Sequence, residues 1–401
     1  MTKVGKAALA LAAVAVVAVA VVSGGSAASE QATTVTIGWA YDGVGPMAAY
    51  DGPALATATE RIKQVNRANA TKLRLITCNT QGNKPAIAKA CATKLLSQGA
   101  DIIMTTCDVD FAAPVVQTAI NRGKLTVAAC IGTDQMGPKR FGAKGRLAFS
   151  FGNVAQDEGS AMAEYAWKRG WRTASLATDT VIVYFRNVVQ AFKARFTQLG
   201  GKIAAEETYQ SLGGNQGSWS NVVTRLNRED ADVIVTSTAP PFGAQVPIIT
   251  GLRTLGNNTP ILNSWAGDGN YWYATLEPKL SNYYYVTFAS AFGDDPVKAV
   301  NALRAKYAGA IAKGGNTGAF VTGWSAIDGI SLALRRTGGN ASGAALAAQM
   351  ERFKNVPTLS GLVSYSKTLH TVYGRTYRVI RVQNNVPKRV AVIKAKVVPK
   401  I

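Results

Sequence analysis

TIGWAYDGVGPMAAYDGPALATATERI, running from Thr36 to Ile62, is the stretch whose reading decides the fold. Thr36 to Gly38 alternates like the end of a buried strand, whereas Leu55, Ala58, Thr59, Ile62 and Val65 recur at helical spacing, so the segment is a strand running into a helix. The turn between them carries Gly43, Gly45, Pro46, Gly52 and Pro53, with Trp39, Tyr41, Asp42, Tyr50 and Asp51 set among them. Such a turn combines close backbone approach, aromatic faces and helix-start amides. In open α/β sheets, ligands sit outside strand ends of this kind.

Outward from that stretch the same unit repeats. Strand-like runs VTIGWA, KLRLIT, ADIIMT, KLTVAA and LAFSFG are separated by helical runs near 55–66, 85–96 and 113–121. This βαβ series requires parallel strands with right-handed crossovers. It begins again with helix 156–168, strand TASLAT, helix 184–199, strand KIAAEETY, helix 220–227, strand DVIVTST, helix 243–255 and strand PILNS. Beyond Tyr283 the order changes. Strand YYYVTFA leads to helical stretches 295–312, 320–336 and 342–353, and then to strands GLVSYS, TYRVIRVQ and VAVIKAK. The expectation is two doubly wound, parallel-sheet α/β domains, with the late helices returning to the first and the terminal strands to the second. Residues 33–151 with 289–357 then form domain one, and 152–288 with 358–401 form domain two. A three-stranded hinge near Phe151, Ala289 and Thr358 would let them close on a small ligand.

The 401-residue length and 47% hydrophobic content suit two such domains. At the start, Lys3 and Lys6 precede an uncharged run from Ala7 to Val22, followed by Ser26-Ala27-Ala28. This pattern reads as a secretory signal, residues 1–28, cleaved on export to the periplasm or the extracellular space. The competing reading, a permanent anchor, needs about 20 apolar residues, more than this run supplies. The absence of a cysteine near the cleavage site argues against a lipoprotein.

The four cysteines, Cys78, Cys91, Cys107 and Cys130, lie in one early segment. In an exported chain an even count suggests disulfides, whereas a zinc site would show close cysteine pairs or several histidines, and His370 is the sole histidine. Three pairings are possible. Cys78 with Cys91 and Cys107 with Cys130 is favoured, because the second pair would join the tips of neighbouring parallel strands. The formal charge of +21 invites a nucleic-acid reading, yet no zinc finger, RNA-recognition signature or basic zipper accompanies it. No nucleic-acid partner is expected.

Together, GPMAAYDGPALATATERI, ACATKLLSQGADII, CIGTD, AEYAWKRGWRTASLATD, FTQLGGKIAAEETY and GLVSYSKTLHTVYGRTYRVIRVQ resemble the type I periplasmic binding proteins of the leucine/isoleucine/valine kind, which feed ABC transporters. The resemblance spans nearly all of the chain after the signal. It implies a monomeric, non-enzymatic binder without a cofactor or metal, which captures an amino acid, aromatic acid or related small molecule and hands it to an ABC permease in the membrane. By position it implies ligand contacts from Asp108 and Asp110, where the family has carboxylate-binding serines, and from Ile131, Gly132 and Thr133. Tyr50 and, more weakly, Phe320 fall at covering aromatics. In the second domain it implies Tyr184, Thr238 at a strand tip, and Asp268 as the acid for a ligand ammonium. Trp39 is added as a residue that could shift ligand preference.

The departures bear on the ligand. Cys107-Asp108-Val109-Asp110 puts negative charge where an α-carboxylate would sit, and a like-charge contact at about 4 Å costs on the order of a kcal/mol or more. A standard branched-chain amino acid is therefore a poor expectation, and aromatic walls at Trp39, Tyr41, Tyr50, Trp265, Tyr271 and Trp272 suit a flat or apolar ligand, a cationic group or a sugar-like face. Asp108 and Asp110 also suit capping of the following helix. An enzyme reading finds no G-x-S-x-G elbow, Walker loop or H-E-x-x-H motif. The rival readings are a ligand-sensing module for a membrane receptor and a secreted α/β hydrolase or transferase.

Overall fold

The computed structural model describes residues 33–213 and 216–400, and the expected signal segment 1–28 lies outside the described residues. The opening strand β1 (Thr34–Tyr41) runs into helix α1 (Ala48–Ala68), and the alternation continues through β2 (Lys72–Asn79), α2 (Pro85–Ser97), β3 (Ile102–Thr105), α3 (Val109–Asn121), β4 (Leu125–Ala128), the short α4 (Pro138–Phe141) and β5 (Ala148–Asn153). The second series is α5 (Ala155–Lys168), β6 (Thr173–Asp179), α6 (Val183–Gln198), β7 (Lys202–Tyr209), α7 (Gln216–Arg228), β8 (Val233–Ser237), α8 (Gln245–Thr254), β9 (Ile261–Asn263) and β10 (Tyr283–Thr287). Helices α9 (Lys298–Lys306), α10 (Ala308–Lys313), α11 (Ala319–Arg336) and α12 (Gly343–Met350) follow. The last strands are β11 (Val356–Thr358), β12 (Gly361–Val363), β13 (Thr371–Val372), β14 (Thr376–Gln383) and β15 (Val386–Lys394).

Two sheets result, each the centre of one α/β domain. The first has the order β13-β5-β4-β3-β1-β2 and is parallel throughout. The second has the order β15-β14-β10-β9-β8-β6-β7 and is parallel except where β14 pairs antiparallel with β10 and β15. Strands β3, β4, β5, β8, β9 and β10 are buried along their whole length, which is why they read as unbroken apolar runs rather than alternating ones. Helices α1 and α11 pack backbone to backbone. A Cβ at Gly323 would stand 2.1 Å from the Ala54 carbonyl oxygen, so only glycine permits that approach.

Two expectations need correction. The helix anticipated over 295–312 is two helices, broken at Tyr307, whose φ of −120° leaves the helical region. The GLVSYS segment does not join the second sheet; β12 pairs only with β11 in a separate two-stranded sheet, and β13 then adds to the first sheet beside β5. By sheet membership the chain therefore makes its third passage between Val372 and Thr376 rather than near Thr358. Two residues of pairing are too short to show as a periodic pattern.

The structure joins Cys78 to Cys91 and Cys107 to Cys130, with Cα atoms 5.5 and 4.8 Å apart. The first ties β2 to α2, and the second links the ends of adjacent β3 and β4. Among the described residues no helix is long and apolar enough to cross a membrane.

Candidate functional site

At the end of β1 the turn is built around two buried carboxylates. Asp42 Oδ1 accepts from the Val44, Gly45 and Gly82 amides at 3.1, 2.7 and 3.1 Å, and its Oδ2 accepts from Met47 N and Asn83 Nδ2 at 3.1 Å each. Asp51 accepts from Asp42 N at 2.7 Å and from Cys107 N at 3.0 Å. Burial pushes the Asp51 carboxyl up to about 8. These bonds fix the first turn of α1 against the loop after β3, and that places Tyr50.

Tyr50 crosses to the other domain. Its hydroxyl donates to the Ala266 carbonyl, and its ring lies 5.0 Å from that of Trp265. Opposite, Tyr184 begins α6 and donates its hydroxyl to both oxygens of Glu158 at 2.9 Å. Glu158 is fully buried in α5 and also accepts the Trp265 amide at 2.6 Å; burial raises its carboxyl to about 7. Gly132 packs on the Tyr184 ring, where a Cβ would come within 2.7 Å of Cε2. A small cavity between the domains is lined by Met47, Tyr50, Cys107, Asp108, Ile182, Tyr184, Phe185, Ala239, Trp265 and Ala266. It encloses ≈ 20 Å³, room for about one water molecule.

The expected residues fall into three groups. Tyr50, Asp108 and Tyr184 line the cavity, and Gly132 stands directly behind Tyr184. Asp108 also caps α3, accepting from Asp110 N and Phe111 N, and burial first, then the neighbouring Asp110 charge, raises its carboxyl to about 7. A second group binds the domains to each other. Asp110 pairs with Arg140 at 2.6 Å and accepts the Val183 amide at the start of α6 at 2.9 Å. Asp268 is fully buried and accepts from Thr287 Oγ1 and Gly318 N at 2.6 Å each, which fixes its loop to the start of α11. The third group is turned inward. Trp39 is wholly buried within the first domain's core, and Phe320 lies in the α1–α11 packing, its carbonyl accepting from Thr57 Oγ1. Thr238 donates to Asp179 at 2.7 Å, the Ile131 carbonyl accepts from Ser150 Oγ, and the Thr133 carbonyl accepts from Thr371 Oγ1.

Sequence reasoning misses Glu158, although it sits one helical turn from Ala155, Ala161 and Met162 on a helix with a wide buried face. An acid there must find partners or neutralise. Phe185 and Ile182 were likewise not singled out as lining residues.

The family model described as "Periplasmic binding protein" matches residues 34–387. Among solved structures, the branched-chain amino acid transporter substrate-binding protein LivJ of Streptococcus pneumoniae, in complex with isoleucine, superposes with a TM-score of 0.75 at 18% identity, covering 90% of this chain and 100% of that one. The leucine-binding protein LivK of Thermotoga maritima gives 0.75 at 17% identity, covering 90% and 98%. An ABC-transporter solute-binding protein of Rhodopseudomonas palustris, in complex with 3,4-dihydroxybenzoic acid, gives 0.73 at 16% identity, covering 91% and 99%. A search of curated proteins found no match.

Proposed function

Since this chain belongs to the periplasmic binding protein family, we propose that it is the extracytoplasmic solute-binding component of an ABC importer, capturing a small molecule by domain closure and delivering it to a membrane permease. The observation that carries this reading is the cavity between the two domains, where Tyr50 of the first meets Ala266 and Trp265 of the second. Met47, Tyr50, Cys107 and Asp108 form one wall, and Ile182, Tyr184, Phe185, Ala239, Trp265 and Ala266 form the other. Residues 33–151 with the helices after Ala289 move as one body, and the second sheet with its helices moves as the other. Solute binds the open form, and closure is favoured by its differential affinity for the closed one. The protein carries out no chemistry, acts as a monomer, and works outside the cytoplasm after removal of residues 1–28. Among the structural relatives, the bound isoleucine and 3,4-dihydroxybenzoic acid are both carboxylic acids.

The test is a thermal-shift screen of amino acids, amines, aromatic acids and polyols, followed by small-angle scattering with each hit. A ligand recovered unchanged should raise the melting temperature and reduce the radius of gyration. Conversion of the hit to a product, or stabilisation without compaction by any hit, would refute the reading.

A further inference from the structure

Several amides on or next to the cavity-lining residues Cys107, Asp108, Ile182 and Trp265 are already held by the protein's own carboxylates. Asp110 N and Phe111 N, in the first turn of α3, donate to Asp108 Oδ1 at 2.8 and 3.3 Å. Cys107 N donates to Asp51 at 3.0 Å. On the facing wall Val183 N, at the start of α6, donates to Asp110 at 2.9 Å, and Trp265 N donates to Glu158 at 2.6 Å. Helix starts and strand-end loops are where an α/β cleft offers amides to a ligand's anionic group. In this chain internal carboxylates occupy that role on both walls.

What remains for a ligand is of the opposite character. Asp108 is 4% exposed and lines the cavity; both of its helix-capping bonds go to Oδ1, and Oδ2 accepts no hydrogen bond among the described residues. The other walls are ring faces, with Tyr50 and Trp265 5.0 Å apart and Tyr184 and Phe185 5.9 Å apart. No Lys or Arg lines the cavity among the described residues. Arg140 acts on Asp108 from outside the cavity and is committed to Asp110 at 2.6 Å, so a carboxylate brought here would meet Asp108 first.

Resting on the reading of this cleft as a solute site, we infer that its ligand is an organic cation without a carboxylate, an amine or alkylammonium whose charged nitrogen meets Asp108 while its apolar body lies among Tyr50, Trp265 and Phe185. Ring faces attract such a cation electrostatically, and the attraction grows when water is excluded. Glu158, held by the Tyr184 hydroxyl, lies behind the aromatic wall. A bound cation favours the charged form of both carboxyls, offsetting the burial that raises them.

The test uses the purified protein and matched pairs differing by a carboxylate: 3-methylbutan-1-amine against leucine and tyramine against tyrosine, with benzyltrimethylammonium and 4-hydroxybenzoate as the outlying cation and anion. Calorimetric titration should show at least one of the three cations bound, and about 100-fold or more tighter than its acid counterpart, a gap of two decades in Kd. Asp108→Asn keeps an N-cap of comparable quality, so it should fold as wild type while weakening the cation about tenfold or more. Binding of leucine, tyrosine or 4-hydroxybenzoate as tightly as the cations, or failure of all three cations to bind, overturns the inference. So does an Asp108→Asn protein that melts normally and keeps full cation affinity. Acid binding with compaction would leave the solute-binding reading standing, whereas turnover of any probe would remove that reading itself.

Discussion

Asp268→Ala tests whether that carboxylate is a brace or a ligand contact. Asp268 Oδ2 accepts from Gly318 N and Thr287 Oγ1, and Oδ1 accepts from Gly269 N at 2.7 Å. Truncation does not strand the Thr287 hydroxyl, which has a second acceptor in the Ala289 carbonyl at 3.1 Å. The Gly269 amide belongs to the adjoining residue of the same loop. The unavoidable orphan is Gly318 N, buried at the start of the 18-residue α11. An unsatisfied buried donor costs about 1–3 kcal/mol, and losing an anion at a helix N-terminus adds about 0.3–1 kcal/mol. Relief of burying a carboxyl raised to about 7 acts in the opposite direction. The two costs sum to about 1.3–4 kcal/mol before that relief, so the net loss is roughly 1–3 kcal/mol, and at about 2–4 °C per kcal/mol the melting temperature should fall by about 2–12 °C. Asp268→Asn keeps a carbonyl oxygen for Gly318 and should lose less than half as much. Calorimetric melts of the three proteins without ligand decide the matter. An alanine variant that melts within about 1 °C of wild type would refute the brace, and a selective loss of ligand affinity would return Asp268 to the contact set.

Three further outcomes follow from the same geometry. Asp51, Asp108, Glu158 and Asp268 all have folded-state pKa values raised by burial, to about 7 or 8, so between about pH 4 and 8 the folded protein holds more protons than the unfolded chain. Their contribution is therefore full at low pH and is lost as pH rises through 7 to 8; the ligand-free protein should melt higher at pH 5 than at pH 8, and the reverse order would contradict the burial. Asp110→Ala removes the acceptor for Val183 N, a charge-assisted bond across the cleft worth about 1.5–3 kcal/mol, and should enlarge the ligand-free radius of gyration seen by small-angle scattering; an unchanged radius would show that closure does not depend on it. Tyr184→Phe withdraws the hydroxyl that donates to Glu158 and should lower unfolding free energy in urea by about 1.5–3 kcal/mol, whereas no change would mean the buried acid is satisfied without it.

Much of the fold was legible because α/β order leaves a strong trace: wholly buried strands such as IIMT and LTVA stand out against helices with polar faces. The late segment was harder to read. Residues 361–372 contribute three pairs to a hairpin and two residues to an edge, and so few pairings impose no period on the sequence. Site residues divided along a similar line. Tyr50 and Tyr184 were expected at the cleft from a glycine-rich strand end and a helix start, and both line the small cavity. Trp39 misled because β1 runs through the middle of the sheet, with β3 and β2 on either side, and an indole at its end is covered by the core. Asp110 and Asp268 were recognised as acids of consequence, but their partners are backbone amides from distant elements, Val183 and Gly318, which no local pattern reveals.

A cation-seeking cleft inside a chain of formal charge +21 looks contradictory until the two scales are separated. Taken as a sphere of radius about 27 Å, the size expected for a compact chain of this length, the unscreened surface potential opposes a unit cation by about 3 kcal/mol in water. With a Debye length of about 8 Å at physiological salt, screening reduces that to below about 1 kcal/mol. At the site the relevant distance is contact: one carboxylate about 4 Å from the cation contributes about 4 kcal/mol at an effective dielectric of 20. The local term exceeds the global one several-fold, and it acts on the bound state while the global field acts mainly on the approach. A basic exterior thus slows the encounter modestly at low salt without setting preference inside the cleft. That preference is set by Asp108, whose helix-capping bonds both go to Oδ1, and by the rings that exclude water around it.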